Sequence, residues 1–263
     1  MKNAVWRLWW VSILALAGCL TETSEPAKEK EEAPAVMRSI ECRWARTRIR
    51  IDGKLEEKAW DDAVVIKDFV VFWQNRKAQT KTEARLLWDD RYLYFAADME
   101  DADLFAVVKE HNGMTWYDDV FELFFKPSVD KGNAFPLQYY EFQVNPLNTQ
   151  LELFLPSRGA GGYGRFGPLT KLGMETAVRL HGTLNDYRDK DKGWTVEGRI
   201  PWSAFKAAGG KPKLGAKWRF ALCRYDYSVA LERPELSSTA PLTVPDFHRY
   251  EDYNELVFVG PKE

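Results

Sequence analysis

Histidine and cysteine are scarce in this chain of 263 residues, at three each. No Ser-His-Asp set and no metal-ligand cluster with usable spacing emerges from them, so the sequence assigns no catalytic residue. Charge of one sign is also missing. Lys and Arg number 37 against 39 Asp and Glu, a net −2, and the basic clusters are interleaved with acids, which excludes long-range attraction to nucleic acid. Long amphipathic crossovers are absent, and with them a parallel α/β architecture. The glycines of 159–167 end in neither Gly-Lys-Ser/Thr nor a helix, so they lack the donors and dipole of a phosphate loop.

What is present begins at the N-terminus. Lys2 and Arg7 precede a short apolar stretch, 8–17, that falls well below the roughly 20 residues a membrane span requires. The stretch runs into Leu16-Ala17-Gly18-Cys19, so residues 1–18 read as a cleaved secretion signal. Leu-Ala-Gly-Cys resembles a bacterial lipobox, which implies lipid attached at Cys19 and a membrane contact through that lipid. Leu20 in place of Asp implies transfer to the outer membrane, on its periplasmic or surface face, rather than retention at the inner one. Residues 19–36 combine the lipidated cysteine with a Glu, Lys, Ser, Thr, Ala and Pro stretch that cannot bury enough surface to offset its ordering entropy, and read as a flexible tether. Residues 37–263 read as one domain, without a second linker or an internal repeat. Cys42 and Cys223 would then sit where disulfides persist; they either pair or remain two buried thiols.

Most of 37–263 alternates with a period of two. Strands are expected at 48–51, 80–88, 92–99, 120–126, 139–145, 150–155, 175–184, 194–200, 218–225 and 255–259, with short helices near 55–60 and 202–208. Asp89-Asp90-Arg91 is expected to turn a hairpin between the second and third. The fold class is all-β, an antiparallel jelly-roll-like sandwich. Two long connections, 156–173 and 228–253, are where function is expected, the first as an aromatic and basic lip carrying Arg158, Tyr163 and Arg165.

Aromatics make up 14% of the chain, with 11 Trp, several outside any regular apolar pattern and therefore available for a contact surface. In 139–145, Tyr140, Phe142 and Val144 share one face while Glu141, Gln143 and Asn145 share the other. Closely spaced amides and carboxylates suit sugar hydroxyls, which offer donors and acceptors side by side. Glu122 stands alone among apolar neighbours in 119–125 and must either pair with a core arginine such as Arg85 or face a cleft.

In order along the chain, Ile51-Asp52-Gly53-Lys54-Leu55 with Ala59-Trp60, the run from Ala84 to Tyr94, Trp116 with Asp119-Val120-Phe121-Glu122-Leu123-Phe124, Tyr140-Glu141-Phe142-Gln143-Val144-Asn145, Gly193-Trp194-Thr195-Val196-Glu197 and Ile200-Pro201-Trp202 resemble the family 9 carbohydrate-binding modules. The resemblance implies a non-catalytic sandwich that binds glucan- or xylan-type sugars between two tryptophans, beside structural calcium. It places Trp116 on one of those tryptophans and Glu122 on a carboxylate that bonds sugar hydroxyls. Gln143 stands where sugar-binding members have arginine. Phe247-His248-Arg249-Tyr250 occupies the region of the second tryptophan, with His248 or Tyr250 as the second wall. The implied role is capture of plant- or algal-type polysaccharide or oligosaccharide. Two rival readings are a haem b sandwich, drawing on Met114, Met174, His111, His181 and His248, and a glycoside hydrolase using Glu122 and Glu141.

Overall fold

A computed structural model of the chain describes residues 37–71, 74, 76–127, 138–160, 162–167 and 170–261. The signal, Cys19 and the whole of the 19–36 tether lie outside the described residues. The strands are β1 (Ser39–Trp44), β2 (Val70–Val71), β3 (Arg76–Lys77), β4 (Thr82–Trp88), β5 (Tyr92–Glu100), β6 (Val120–Lys126), β7 (Tyr139–Val144), β8 (Gln150–Leu155), β9 (Glu175–Leu180), β10 (Gly193–Pro201), β11 (Lys217–Asp226), β12 (Glu235–Ser238) and β13 (Asn254–Phe258). Among the described residues one short α-helix, Gly162–Phe166, and several 3-10 turns accompany them.

The strands form two layers. One runs β4-β5-β10-β9, antiparallel throughout. The other runs β8-β7-β6-β11, and beyond β11 its edge is shared between β12 and β13. β1 joins the layers, since Ser39 to Cys42 pair in parallel with β13 while Arg43 and Trp44 pair in parallel with β4. The all-β sandwich expected from the alternation is what forms.

The period of two explains the core. Leu86 and Trp88 of β4, Phe95 of β5 and Val196 of β10 meet Phe121 and Leu123 of β6 and Phe142 of β7 in one inter-sheet cluster. Phe205, from the 3-10 helix Trp202–Ala208, packs at its centre, with ring centroids 4.9 Å from both Tyr140 and Trp218. Burying a side chain of that size stabilises the fold by about 1.5–3 kcal/mol.

Two expectations are corrected, and of the two states left open for the cysteines the structure shows one. Residues 48–51 form no strand: the alternating isoleucines drape over the outer face of the first layer, where Ile49 packs with Trp60, Leu87 and Tyr94. The first strand is instead β1, whose polar Ser39 and Glu41 disguise it. Cys42 and Cys223 are both free; Cys42 faces the inter-sheet core and Cys223 the outer face of the second layer, so the sheet itself keeps them apart.

Candidate functional site

The outer face of the second layer is only partly covered. Phe247, Tyr250 and Tyr253 of the C-terminal connection pack over Phe124, Ala221 and Leu153. Beside them lies a cleft of about 580 Å³. Alternation determines its floor: Glu122 and Phe124 of β6, and Tyr139, Glu141 and Gln143 of β7, point out because Phe121, Tyr140 and Phe142 point in. Register sets Glu122 opposite Gln143, with Glu141 one step along the same face, opposite Phe124.

The walls come from three connections. Trp116 sits half-buried in the 3-10 turn Thr115–Tyr117, its ring edge-on to Tyr163 at 4.9 Å and 84°. Asp118 pins this turn by accepting the Val107 and Val108 N–H groups at 2.9 and 3.0 Å, and Tyr227 Oη donates to the Trp116 carbonyl at 2.7 Å. Tyr163 rides on Asn112: its hydroxyl donates to the Asn112 carbonyl, while the Asn112 amide donates to the Gly167 and Thr170 carbonyls. Asn112 adopts φ 58°, a left-handed conformation that asparagine tolerates better than most residues. His248 closes the third side, with Nδ1 3.0 Å from Tyr139 Oη and 4.0 Å from Glu141 Oε2.

The floor is electrostatically tense. Glu122 and Glu141 are 1% and 4% exposed. Gln143 donates to Glu141 Oε1 at 2.6 Å and accepts from Thr115 Oγ1 at 2.5 Å, which fixes its amide. Glu122 Oε2 and Glu141 Oε2, both buried, have no hydrogen-bond partner among the described residues. Burial, and then the neighbouring Glu141 charge, push the Glu122 carboxyl well above the usual range. Burial also raises Glu141, opposed by His248 and by the Gln143 hydrogen bond.

Of the residues singled out from sequence, Trp116, Glu122, Glu141, Gln143 and His248 converge on this cleft. Asn145 does not. It is fully buried and donates to the Val108 carbonyl and Asp118 while accepting from Thr149 N–H, so it anchors the turn behind Trp116. Tyr250 stands behind the wall, 5.4 Å from the Tyr139 ring, with Lys126 and Arg158 over its face. Glu122 faces the cleft and not Arg85, which is paired with Glu83 and lines a groove with His181. The haem candidates are scattered: His111 lies beside Glu152, Met174 is in the inter-sheet core, Met114 is exposed, and neither methionine lines the cleft with His248. Tyr139, Tyr225 and Phe247 also line the cleft; Tyr139 was legible, being two residues before Glu141 on the same face.

An acidic cluster that sequence spacing hid lies near the Trp116 turn. Asp101, Asp119 and Asp226 are buried with carboxylate oxygens within 4.8 Å of one another. Arg224 bridges Asp101 and Asp226 at 3.1 and 3.0 Å. Burial, then Asp226, pushes Asp101 up to about 7, and burial, then Asp101, raises Asp119. One arginine against three carboxylates leaves negative charge uncompensated, and oxygen-only donors suit a calcium ion. Asp101, Asp119 and Asp226 would hold it, and its contribution there would be structural.

Because Glu122 binds its proton more tightly folded than unfolded, it favours the fold below the unfolded glutamate value, and that contribution is lost as pH climbs through the raised native value. Glu122→Gln is therefore expected to raise Tm near pH 8 by roughly 2–4 °C, the shift that about 1 kcal/mol produces at this chain length. Near pH 4 the two proteins should melt together; thermal unfolding followed by circular dichroism across that range checks it.

A sequence profile described as "Carbohydrate family 9 binding domain-like" matches residues 51–244. Among solved structures, a protein from Bacteroides uniformis described as carbohydrate-binding is 20% identical, with a TM-score of 0.66 over 84% of this chain and 99% of that one. A family 9 carbohydrate-binding module from Caldicellulosiruptor kristjanssonii, solved in complex with cellotriose, is 18% identical, with a TM-score of 0.55 over 86% and 96%. Endo-1,4-beta-xylanase A of Thermotoga maritima is 26% identical over 156 residues, 59% of this chain but 12% of the xylanase, so the match spans a small part of that relative's length. The profile covers most of the chain from the end of β1 to the C-terminal connection, and this protein belongs to the carbohydrate family 9 binding domain-like family.

Proposed function

We propose that this protein is a non-catalytic carbohydrate-binding lipoprotein of the cell envelope, tethered to the outer membrane through Cys19 and capturing plant- or algal-type polysaccharide or oligosaccharide. The observation that carries the reading is the half-buried Trp116 indole forming one wall of a cleft floored by Glu122, Glu141 and Gln143. A pyranose has an apolar face that stacks on such a ring and an equatorial rim of hydroxyls that pair with carboxyl and amide groups. The cellotriose bound to the Caldicellulosiruptor neighbour favours a glucan-type ligand. Anchoring is supported by the sequence alone, through the short apolar run ending in Leu16-Ala17-Gly18-Cys19.

A hydrolytic role for Glu122 and Glu141 is disfavoured by their placement. Both rise from adjacent strands of one sheet face, on the same side of any ring entering the cleft, whereas glycoside hydrolysis uses carboxyl groups flanking the scissile bond.

Trp116→Ala is expected to weaken binding of the cognate oligosaccharide at least about tenfold, the equivalent of roughly 1.4 kcal/mol of stacking and burial. The melting temperature should hold within a few degrees. Titration calorimetry after a glycan-array survey reads this out; undiminished affinity would remove the site. Cys19→Ala is expected to abolish incorporation of radiolabelled palmitate in a bacterial host and to leave the chain out of the membrane fraction, and labelling that persists would refute the anchor.

A further inference from the structure

The cleft floor carries an imbalance that the hydroxyls of a neutral sugar do not resolve. Glu122 and Glu141 line the cleft floor almost wholly buried, and each carries a buried oxygen without a hydrogen-bond partner among the described residues. The groups facing them from other elements are the Cys223 thiol and Tyr225 of β11, the Thr115 hydroxyl, and Asp246 with His248 on the C-terminal connection. Asp246 adds a third acid to the cleft. Arg158 reaches it from the 156–173 connection but is engaged: both terminal nitrogens bond Glu251, at 2.7 and 2.9 Å, and the guanidinium lies over Tyr250. His248 stands 4.0 Å from Glu141 with Nδ1 shared with Tyr139. Trp116, Tyr163, Phe124 and Phe247 wall the same space, and the faces of such rings attract cations.

We propose that the cleft selects a sugar residue bearing a protonated amine, a free hexosamine unit of a de-acetylated polysaccharide, with its ammonium between Glu122 and Glu141 and its ring against Trp116. This rests on the carbohydrate-binding reading and sets an amine-bearing sugar in place of the neutral glucan that the Caldicellulosiruptor neighbour suggests. An ammonium offers three donors and no acceptor, which suits two carboxyl oxygens without partners. Burial raises both carboxyls and a neighbouring ammonium lowers them again, so complex formation is expected to release protons to the buffer. N-acetylation removes the charge and one donor, and a hydroxyl at the same position carries no charge.

The test is titration calorimetry on the full-length chain in a detergent without a sugar headgroup. Three ligands of equal length are compared near pH 6, where an amine is protonated: a glucosamine trimer, its N-acetylated form and cellotriose. The glucosamine trimer is expected to bind at least about tenfold tighter than either, as one charge-assisted hydrogen bond provides. Its enthalpy should change with the ionisation heat of the buffer in the sense of proton release. Glu122→Gln and Glu141→Gln should each shrink the amine preference. Cellotriose binding as tightly as the amine trimer would overturn the inference and leave carbohydrate binding standing. An amine preference unchanged in both variants would overturn it as well, placing the amine elsewhere. Absence of binding by all three trimers would count against the inference and the carbohydrate reading together.

Discussion

Burying a carboxyl group costs several kcal/mol unless a proton, a cation or a set of hydrogen bonds compensates it, and this protein buries two on the outward face of one sheet. Glu122 and Glu141 point into the cleft because their neighbours Phe121, Leu123, Tyr140 and Phe142 are claimed by the inter-sheet core. The surroundings are organised around that constraint. Gln143 spends one end of its amide on Glu141 and the other on Thr115, tying the floor to the turn that carries Trp116. Glu122 Oε2 and Glu141 Oε2 are left buried without a hydrogen-bond partner among the described residues. Buried polar atoms are normally satisfied, so two unpartnered carboxyl oxygens under one cleft call for a compensating proton or cation.

Support for the aromatic wall runs back through a second set of acids. Asp118 and Asp119 are adjacent in sequence and work in different places: Asp118 caps the backbone of the 107–108 segment and holds Asn145, while Asp119 accepts the N–H groups of Phe105 and Tyr227. Tyr227 in turn fixes the Trp116 carbonyl. The buried acidic cluster with Arg224 therefore sits behind the aromatic wall, joined to the Trp116 backbone through Asp119 and Tyr227.

Alternation made the sandwich readable: β4, β5, β6, β7, β8, β10, β11 and β13 lie close to where the period of two put them. It also separated the two faces of β7, which is why Glu141 and Gln143 could be assigned to one surface. Three things were hidden. Asn145 shares their phase, but it lies beyond the end of β7, where the chain turns away from the cleft and its amide is consumed by Val108, Asp118 and Thr149. The acidic cluster gathers residues from the end of β5, the start of β6 and the end of β11, a convergence created by sheet topology with no local spacing to announce it. The isoleucines of 48–51 satisfied the strand pattern by packing singly onto a finished sheet, since periodicity reports burial of one side and not hydrogen bonding to a neighbour.

The central claim is spatial: one cleft on the outer face of the β8-β7-β6-β11 layer receives the ligand, with Trp116 as platform and the β6–β7 carboxyls as grip. A crystal structure of the protein with a bound oligosaccharide tests it most directly. The account predicts a sugar ring lying against the Trp116 indole, with a polar substituent about 2.6–3.2 Å from Glu122 or Glu141. A sugar found instead in the groove lined by Lys54, Glu83 and Arg85 on the opposite layer, with the Trp116 cleft empty, would contradict it.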